Sequence, residues 1–198
     1  MTKNEITKRS LMTFRRGVFA TIGLLLGSTS AFAQVPVPVR VNEYSAKFLC
    51  GDAKEVIAVR PGNYATSINI HNPQLFRTVM FAKKAVLSPR EGDTPIPPGK
   101  LRTGLSLAPD FAEQVDCKVI RDLLGGPQDP FIEGFVVLYV LPSDWVIPNE
   151  FDVVGVYTVD TPPQSISLEI VPVAPRVIPL SGAEGKRVRD LLQPPKPR

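Results

Sequence analysis

"YATSINIHN", residues 64–72, alternates with a period of two. Tyr64, Thr66, Ile68 and Ile70 fall on one side, and Ala65, Ser67, Asn69 and His71 on the other. That spacing is the signature of a β-strand with one face against a core and the other turned outward. Asn72-Pro73 ends it, because the residue before a proline is pushed out of the helical region and asparagine favours turns. His71 is the only histidine of the chain and lies on the polar side of this strand.

Working outward, the same grammar repeats. "VNEYSAKFLC" (41–50) is an earlier strand stopped at Gly51-Asp52, and "EVIAVRPGN" (55–63) holds a short strand and a turn at Pro61-Gly62-Asn63. "RTVMFAKKAVL" (77–87) is a further strand, with a bulge expected where Lys83-Lys84 interrupts the alternation. "REGDTPIPPGK" (90–100) is a loop, since its prolines remove ladder donors. "LRTGLSLAP" and "FAEQVDCKV" follow as strands, and 117–126 reads as a short helical segment opened by Asp116 and stopped by Gly125-Gly126. The strongest strands come last: "FIEGFVVLYVL" (131–141), "FDVVGVYTV" (151–159) and "SISLEIVPV" (165–173). The first two are apolar on both faces, which marks central strands or a second buried surface.

This is an all-β chain: an antiparallel β-sandwich or partly open barrel of seven to nine strands, with at most one or two short helices. Long amphipathic helices, which an α/β fold requires, do not follow residue 33.

Both ends read differently from the body. "MTKNEITKRSLMTFRR" is basic, "GVFATIGLLLG" is apolar, and "STSAFAQ" supplies small residues in an A-x-A pattern. Together they form a signal peptide over 1–33, with cleavage between Ala33 and Gln34. The apolar run is too short for a transmembrane anchor, which takes about twenty residues. Arg15-Arg16 leaves the twin-arginine route open beside ordinary secretory export. The expected location is therefore periplasmic or extracellular. Residues 34–40 are a proline-rich segment, 41–173 the sandwich domain and 174–198 a basic, proline-rich tail.

Taking the leader's five basic residues and one acidic residue off the chain's 23 and 19 leaves eighteen of each. The basic balance thus belongs to the leader, and nucleic acid is not an expected partner. Within the neutral remainder the tail from Ala174 is +4 and the body −4. That tail reads as a solvated terminus or as a contact for an anionic surface. "KVIRDLLGGP" (118–127) and "KRVRDLLQPP" (186–195) share Arg-Asp-Leu-Leu, and both are helix candidates.

Cys50 and Cys117 are the two cysteines, an even number in an exported chain, and are expected to form a disulfide. Two buried free thiols are the main alternative; a redox-active or metal-binding pair is the functional one, but the spacing is not C-x-x-C and a single histidine does not complete a zinc set.

Catalytic signatures are sparse. No G-x-S-x-G elbow, H-E-x-x-H, phosphate-cradling loop or dinucleotide fingerprint occurs. Paired carboxylates remain open, because their separation in space is invisible in sequence. Asp110, Glu113 and Asp116 lie in "APDFAEQVDC", and Glu133 sits inside apolar "FIEGF". "REGDTP" and "GGPQDP" lack the dense acids of a calcium loop. An aromatic platform for a glycan is the remaining option: Trp145, with Tyr64, Tyr139 and Tyr157 behind it; His71 reads as structural or solvated, with a ligand or partner contact on its polar face as the alternative.

In "RPGNYATSINIHNP", followed by "FAKKAVLS", "LAPDFAEQVDC", "FIEGFVVL" and "DVVGVYTV", the chain resembles a group of uncharacterised exported bacterial proteins that share a β-sandwich-like domain. The resemblance spans roughly residues 41–173 and rests on strand cores and turns. It implies fold and export, and it brings no catalytic or ligand residues with it.

The expectation for function is a non-catalytic binding or structural module whose partner is a protein, a glycan or another copy of itself in the cell envelope. No cofactor or metal is expected. The alternative is a carboxylate-based glycan hydrolase using Asp110, Glu113, Asp116 or Glu133, and a weaker one is metal binding through His71 with nearby acids.

Overall fold

In a computed structural model, the described residues are 39–54, 59–89, 92–126, 129–140, 150–161 and 165–192. They form nine strands and two short helices: β1 (Val39–Ala53), β2 (Gly62–His71), β3 (Val79–Leu87), β4 (Arg102–Leu107), β5 (Ala112–Asp116), α1 (Cys117–Leu124), β6 (Phe131–Val140), β7 (Asp152–Thr161), β8 (Ser165–Pro172), β9 (Arg176–Leu180) and α2 (Gly182–Leu192). All ladders between them are antiparallel, as the alternating sequence requires.

The hydrogen-bonded path runs β4-β3-β6-β1-β2-β7-β8, with β5 added to β2 and β9 added to β1. The sheet does not close. Its weakest seam is the β1–β2 ladder, which covers only Gly51–Ala53 against Gly62–Tyr64. On one side of that seam lie β4, β3, β6, β1 and β9, and on the other β5, β2, β7 and β8. Gly51 makes the corner: its φ is +104°, and a Cβ there would lie 1.8 Å from the Pro130 carbonyl oxygen. Only glycine fits both conditions.

The core lies where the inward faces of the two halves meet. Tyr44, Ala46, Phe48 and Cys50 from β1, Phe81 and Ala85 from β3, and Val136, Leu138 and Val140 from β6 pack with Ile68 and Ile70 of β2, Val115 of β5 and Val153 of β7. Ile120 and Leu123 of α1 join the same cluster. Hydrogen bonds and one disulfide help to tie the halves. The Phe151 N–H donates to the Tyr44 hydroxyl at 2.8 Å. Thr66 Oγ1 accepts from the Leu49 N–H and donates to the Leu49 carbonyl, both at 2.9 Å. Cys50 and Cys117 are disulfide-bonded, with Cα atoms 5.6 Å apart.

Both strands that are apolar on two faces are interior: β6 lies between β3 and β1, and β7 between β2 and β8. α1 starts at the expected place, with Asp116 accepting from the Val119 N–H at 2.9 Å, and it stops at Gly125 in the left-handed conformation.

The structure changes two local expectations. The register of β3 against β6 runs unbroken from Phe81 to Leu87, so Lys83 shares a side with Phe81 and Ala85 and points into the core. The bulge exists only against β4, between Phe81 and Lys83. Residues beyond Ala174 do not simply trail off. β9 pairs with Val39–Glu43, Arg176 reaches the Glu43 carboxylate at 2.6 Å, and α2 opens with a Ser181–Glu184 capping box. The expected short strand at 55–59 lies mostly outside the described residues, and β9 completes the nine instead.

Candidate functional site

The opening strand delivers His71 to the end of β2, paired directly with Asp152 at the start of β7 and with Ala112 of β5. Its Nδ1 lies 3.2 Å from Asp152 Oδ2 and its Nε2 lies 3.1 Å from Asp110 Oδ1. A neutral imidazole has one N–H, so only the cation donates to both carboxylates. The hydrogen bond to Asp110, then that to Asp152, raises the His71 pKa above its ordinary 6.5.

Asp110 owes its position to a turn. Pro109 precedes it, Asp110 itself has φ +59°, and the Phe111 N–H donates to the Ala108 carbonyl. The hub beneath is Asn72, which is fully buried. Its side-chain N–H groups face the carbonyls of Arg77, Leu107 and Ala108, and its Oδ1 accepts from the Gln74 N–H. Its backbone exchanges bonds with Asp110 and Phe111. Asn72 thus ties the loop 72–78 to the turn 108–111, a role concealed in the sequence behind an ordinary Asn-Pro turn signal.

With each ring nitrogen against a different acid, this arrangement is an ion-paired clip between β2, β7 and the turn before β5. Among the described residues the hydrogen bonds of the ring go to these two carboxylates and not to a serine or cysteine that would make a nucleophile–base pair. Among the described residues no group of three His, Cys, Asp or Glu is placed to hold a metal ion.

The four candidate carboxylates are dispersed. Asp110 is held by His71, and Asp116 caps α1. Glu113 pairs with Lys83, whose side chain is only 4% exposed. Glu133 lies 3.5 Å from Lys47 on the outer side of β1 and β6. Glu113 is opposite inward Ile70 and Asp116 opposite outward Ser67, so these two point to opposite faces. A glycosidase needs two acids facing one bond, and β5 does not provide them.

The aromatic candidates are separated as well. Tyr157 donates its hydroxyl to the Lys47 carbonyl at 2.9 Å and lies on the face of β7 opposite to Asp152. Burial, followed by the charge of Glu169, raises its pKa. Tyr139 lies on β6 beneath the Lys84 ammonium, which is 5.3 Å from the ring centroid. Tyr64 stacks edge-on against Phe131. Trp145, Ala33 and Gln34 lie outside the described residues. Tyr139, Tyr157 and His71 do not form one platform.

What the sequence reading took only as a strand, and not as a surface, is β8. Among the described residues it pairs only with β7, in unbroken register from Val154 with Pro172 to Thr161 with Ser165. Ile166, Leu168 and Ile170 share one face and are 79, 60 and 63% exposed. Through the paired residues this face continues inward as Thr158 and Val156 on β7, then Ala65 and Ser67 on β2. The only sequence signal was positional: the alternation Ile-Ser-Leu-Glu-Ile follows the last interior strand and has one hairpin neighbour.

No known protein family, curated protein or solved structure matches this chain. Among the described residues no helix is long and apolar enough to cross a membrane.

Proposed function

We propose that this protein is a non-catalytic binding or structural module of the cell envelope or the space outside it, and that its contact surface is the β8 edge. The observation that carries this reading is the row Ile166, Leu168 and Ile170, exposed on a strand that among the described residues is paired on one side only. Contiguous exposed apolar surface on a folded chain is a mark of interaction, and an open strand edge adds unpaired backbone donors and acceptors.

Two further features support it. Each candidate acid is committed to a lysine, a histidine or a helix cap, so the polar groups serve the architecture. The Cys50–Cys117 bond suits an oxidising compartment, in keeping with the basic–apolar–small leader and the resemblance to exported β-sandwich proteins.

The test is site-specific photo-crosslinking in the intact envelope, with the reactive group at Leu168 and, as control, at Thr103 on the opposite edge strand. A defined adduct from position 168 that is absent from position 103 is expected. No adduct at 168, or the same pattern at both, refutes the reading.

A further inference from the structure

β4 and β8, the two ends of the main strand path, are built differently. β4 is six residues long, breaks register against β3, contains Gly104 at φ +68° and begins with exposed Arg102. Bulges, positive-φ glycine and charge are the usual means of keeping an edge from pairing. β8 has none of them over its eight residues apart from one acid, Glu169, and it stops at Pro172. Among the described residues β8 has no strand on its outer side, and an edge without such blocking devices is open to strand addition.

We infer that the added strand is β8 of a second copy, paired antiparallel across a two-fold axis at Leu168. This inference rests on the binding-module reading above and names its partner. Its basis is the near-palindrome Ile166-Ser167-Leu168-Glu169-Ile170. Across a two-fold axis residue i meets j of the other copy and j meets i. With the axis at Leu168, Ile166 lies opposite Ile170, Leu168 opposite Leu168, and Ser167 opposite Glu169. Directly opposed residues share a face, so all six apolar side chains form one continuous stripe, and each carboxylate meets a hydroxyl.

Neighbouring registers are worse for identifiable reasons. A slip by one residue turns the stripe of one copy to the opposite face from that of the other. A shift of the axis to Glu169 sets that carboxylate against its own copy, where like charges directly opposite are destabilising. A shift to Ser167 leaves Ile170 without an apolar partner among Ile166, Leu168 and Ile170. Only the Leu168 axis matches both apolar pattern and charge. Because the contact is isologous, with the same strand of each copy used up in it, it closes as a dimer and does not propagate as a filament.

The test exploits the fact that Leu168 alone meets its own copy. Leu168→Lys and Leu168→Glu should each abolish dimerisation seen by sedimentation, with unchanged circular dichroism and melting. Mixing the two variants should restore a dimer containing one of each. Leu168→Cys should give a disulfide-linked dimer on oxidation, while Ile166→Cys or Ile170→Cys links only when the two are mixed. A wild-type chain that stays monomeric up to about 100 μM, or a dimer indifferent to Leu168→Lys, overturns the inference. If the chain is monomeric and position 168 still crosslinks a different protein in the envelope, the second-copy pairing falls and the binding-module reading stands. If it is monomeric and position 168 gives no adduct, both fall.

Discussion

Replacing Glu113 by glutamine removes the counter-charge of a lysine that the fold places among apolar side chains. Lys83 shares its face of β3 with Phe81 and Ala85, and its side chain is 4% exposed, whereas Glu113 is 32% exposed. A buried pair is a poor net stabiliser, because desolvating two ions offsets most of their attraction, but deleting one partner leaves the other charge uncompensated, at about 3–5 kcal/mol. The partial exposure of Glu113 lets water approach the vacated position, which places the loss near the lower limit, about 3 kcal/mol. For a domain of this size that corresponds to a fall in Tm of roughly 6–12 °C. It is also a large part of the usual total stability of about 5–15 kcal/mol. The assay is urea denaturation with the disulfide intact, comparing wild type, Glu113→Gln, and the double variant Lys83→Met with Glu113→Leu. The single variant should lose midpoint at unchanged slope, and the double variant should recover most of it. A loss below about 1 kcal/mol in Glu113→Gln, or a double variant as unstable as the single one, would refute the view that Lys83 depends on this carboxylate.

Three other outcomes follow from Tyr44, His71 and the disulfide. Tyr44 is fully buried, and burial pushes its hydroxyl up to about 12; the unfolded chain ionises near pH 10, so stability should fall between pH 10 and 12 by up to about 2.7 kcal/mol, and Tyr44→Phe should remove that slope. His71, the only imidazole, should titrate above its ordinary value by NMR. Its contribution is complete below the unfolded value and is lost as pH rises through the folded one, and Asp110→Asn should lower its pKa more than Asp152→Asn. Reducing the Cys50–Cys117 bond, which spans 67 residues, should cost about 4 kcal/mol by loop-closure entropy, read as a lower denaturation midpoint in the double serine variant.

Strands were legible wherever a single strand carried its own pattern. Ile68 and Ile70 are buried and Asn69 is exposed, as the period of two requires, and Asp116 and Gly125 mark the ends of α1 by chemistry local to the chain. Lys83 was not legible. A lysine at an inward register position looks like an irregularity until its partner, thirty residues away on β5, is brought to it. The commitments of the carboxylates were hidden for the same reason, since sequence spacing does not show that Glu113 and Asp116 take opposite faces. Arg176 read as part of a basic tail because composition cannot tell a solvated arginine from one aimed at the buried Glu43 carboxylate. The β8 stripe was read correctly as strand and missed as surface: alternation shows which residues share a face, and only topology shows whether anything covers it.

The face that carries His71 also shows why a partner belongs at the edge and not over the centre of the layer. On β2 and β5 its surface is polar and already satisfied: Gln114 donates to Ser67 at 2.7 Å, and His71 is clipped between two acids. A partner laid there would have to break those bonds and desolvate the carboxylates, with little apolar area in return. Moving outward along the same pairs, Ser67 gives way to Val156 and then to Ile170. Apolar surface therefore rises toward the side where, among the described residues, β8 has no strand partner. The two contributions coincide only at that edge. Strand addition there can gain ladder hydrogen bonds and a hydrophobic stripe in one contact, while the His71 clip keeps the ends of β2 and β7 in the register on which the edge depends.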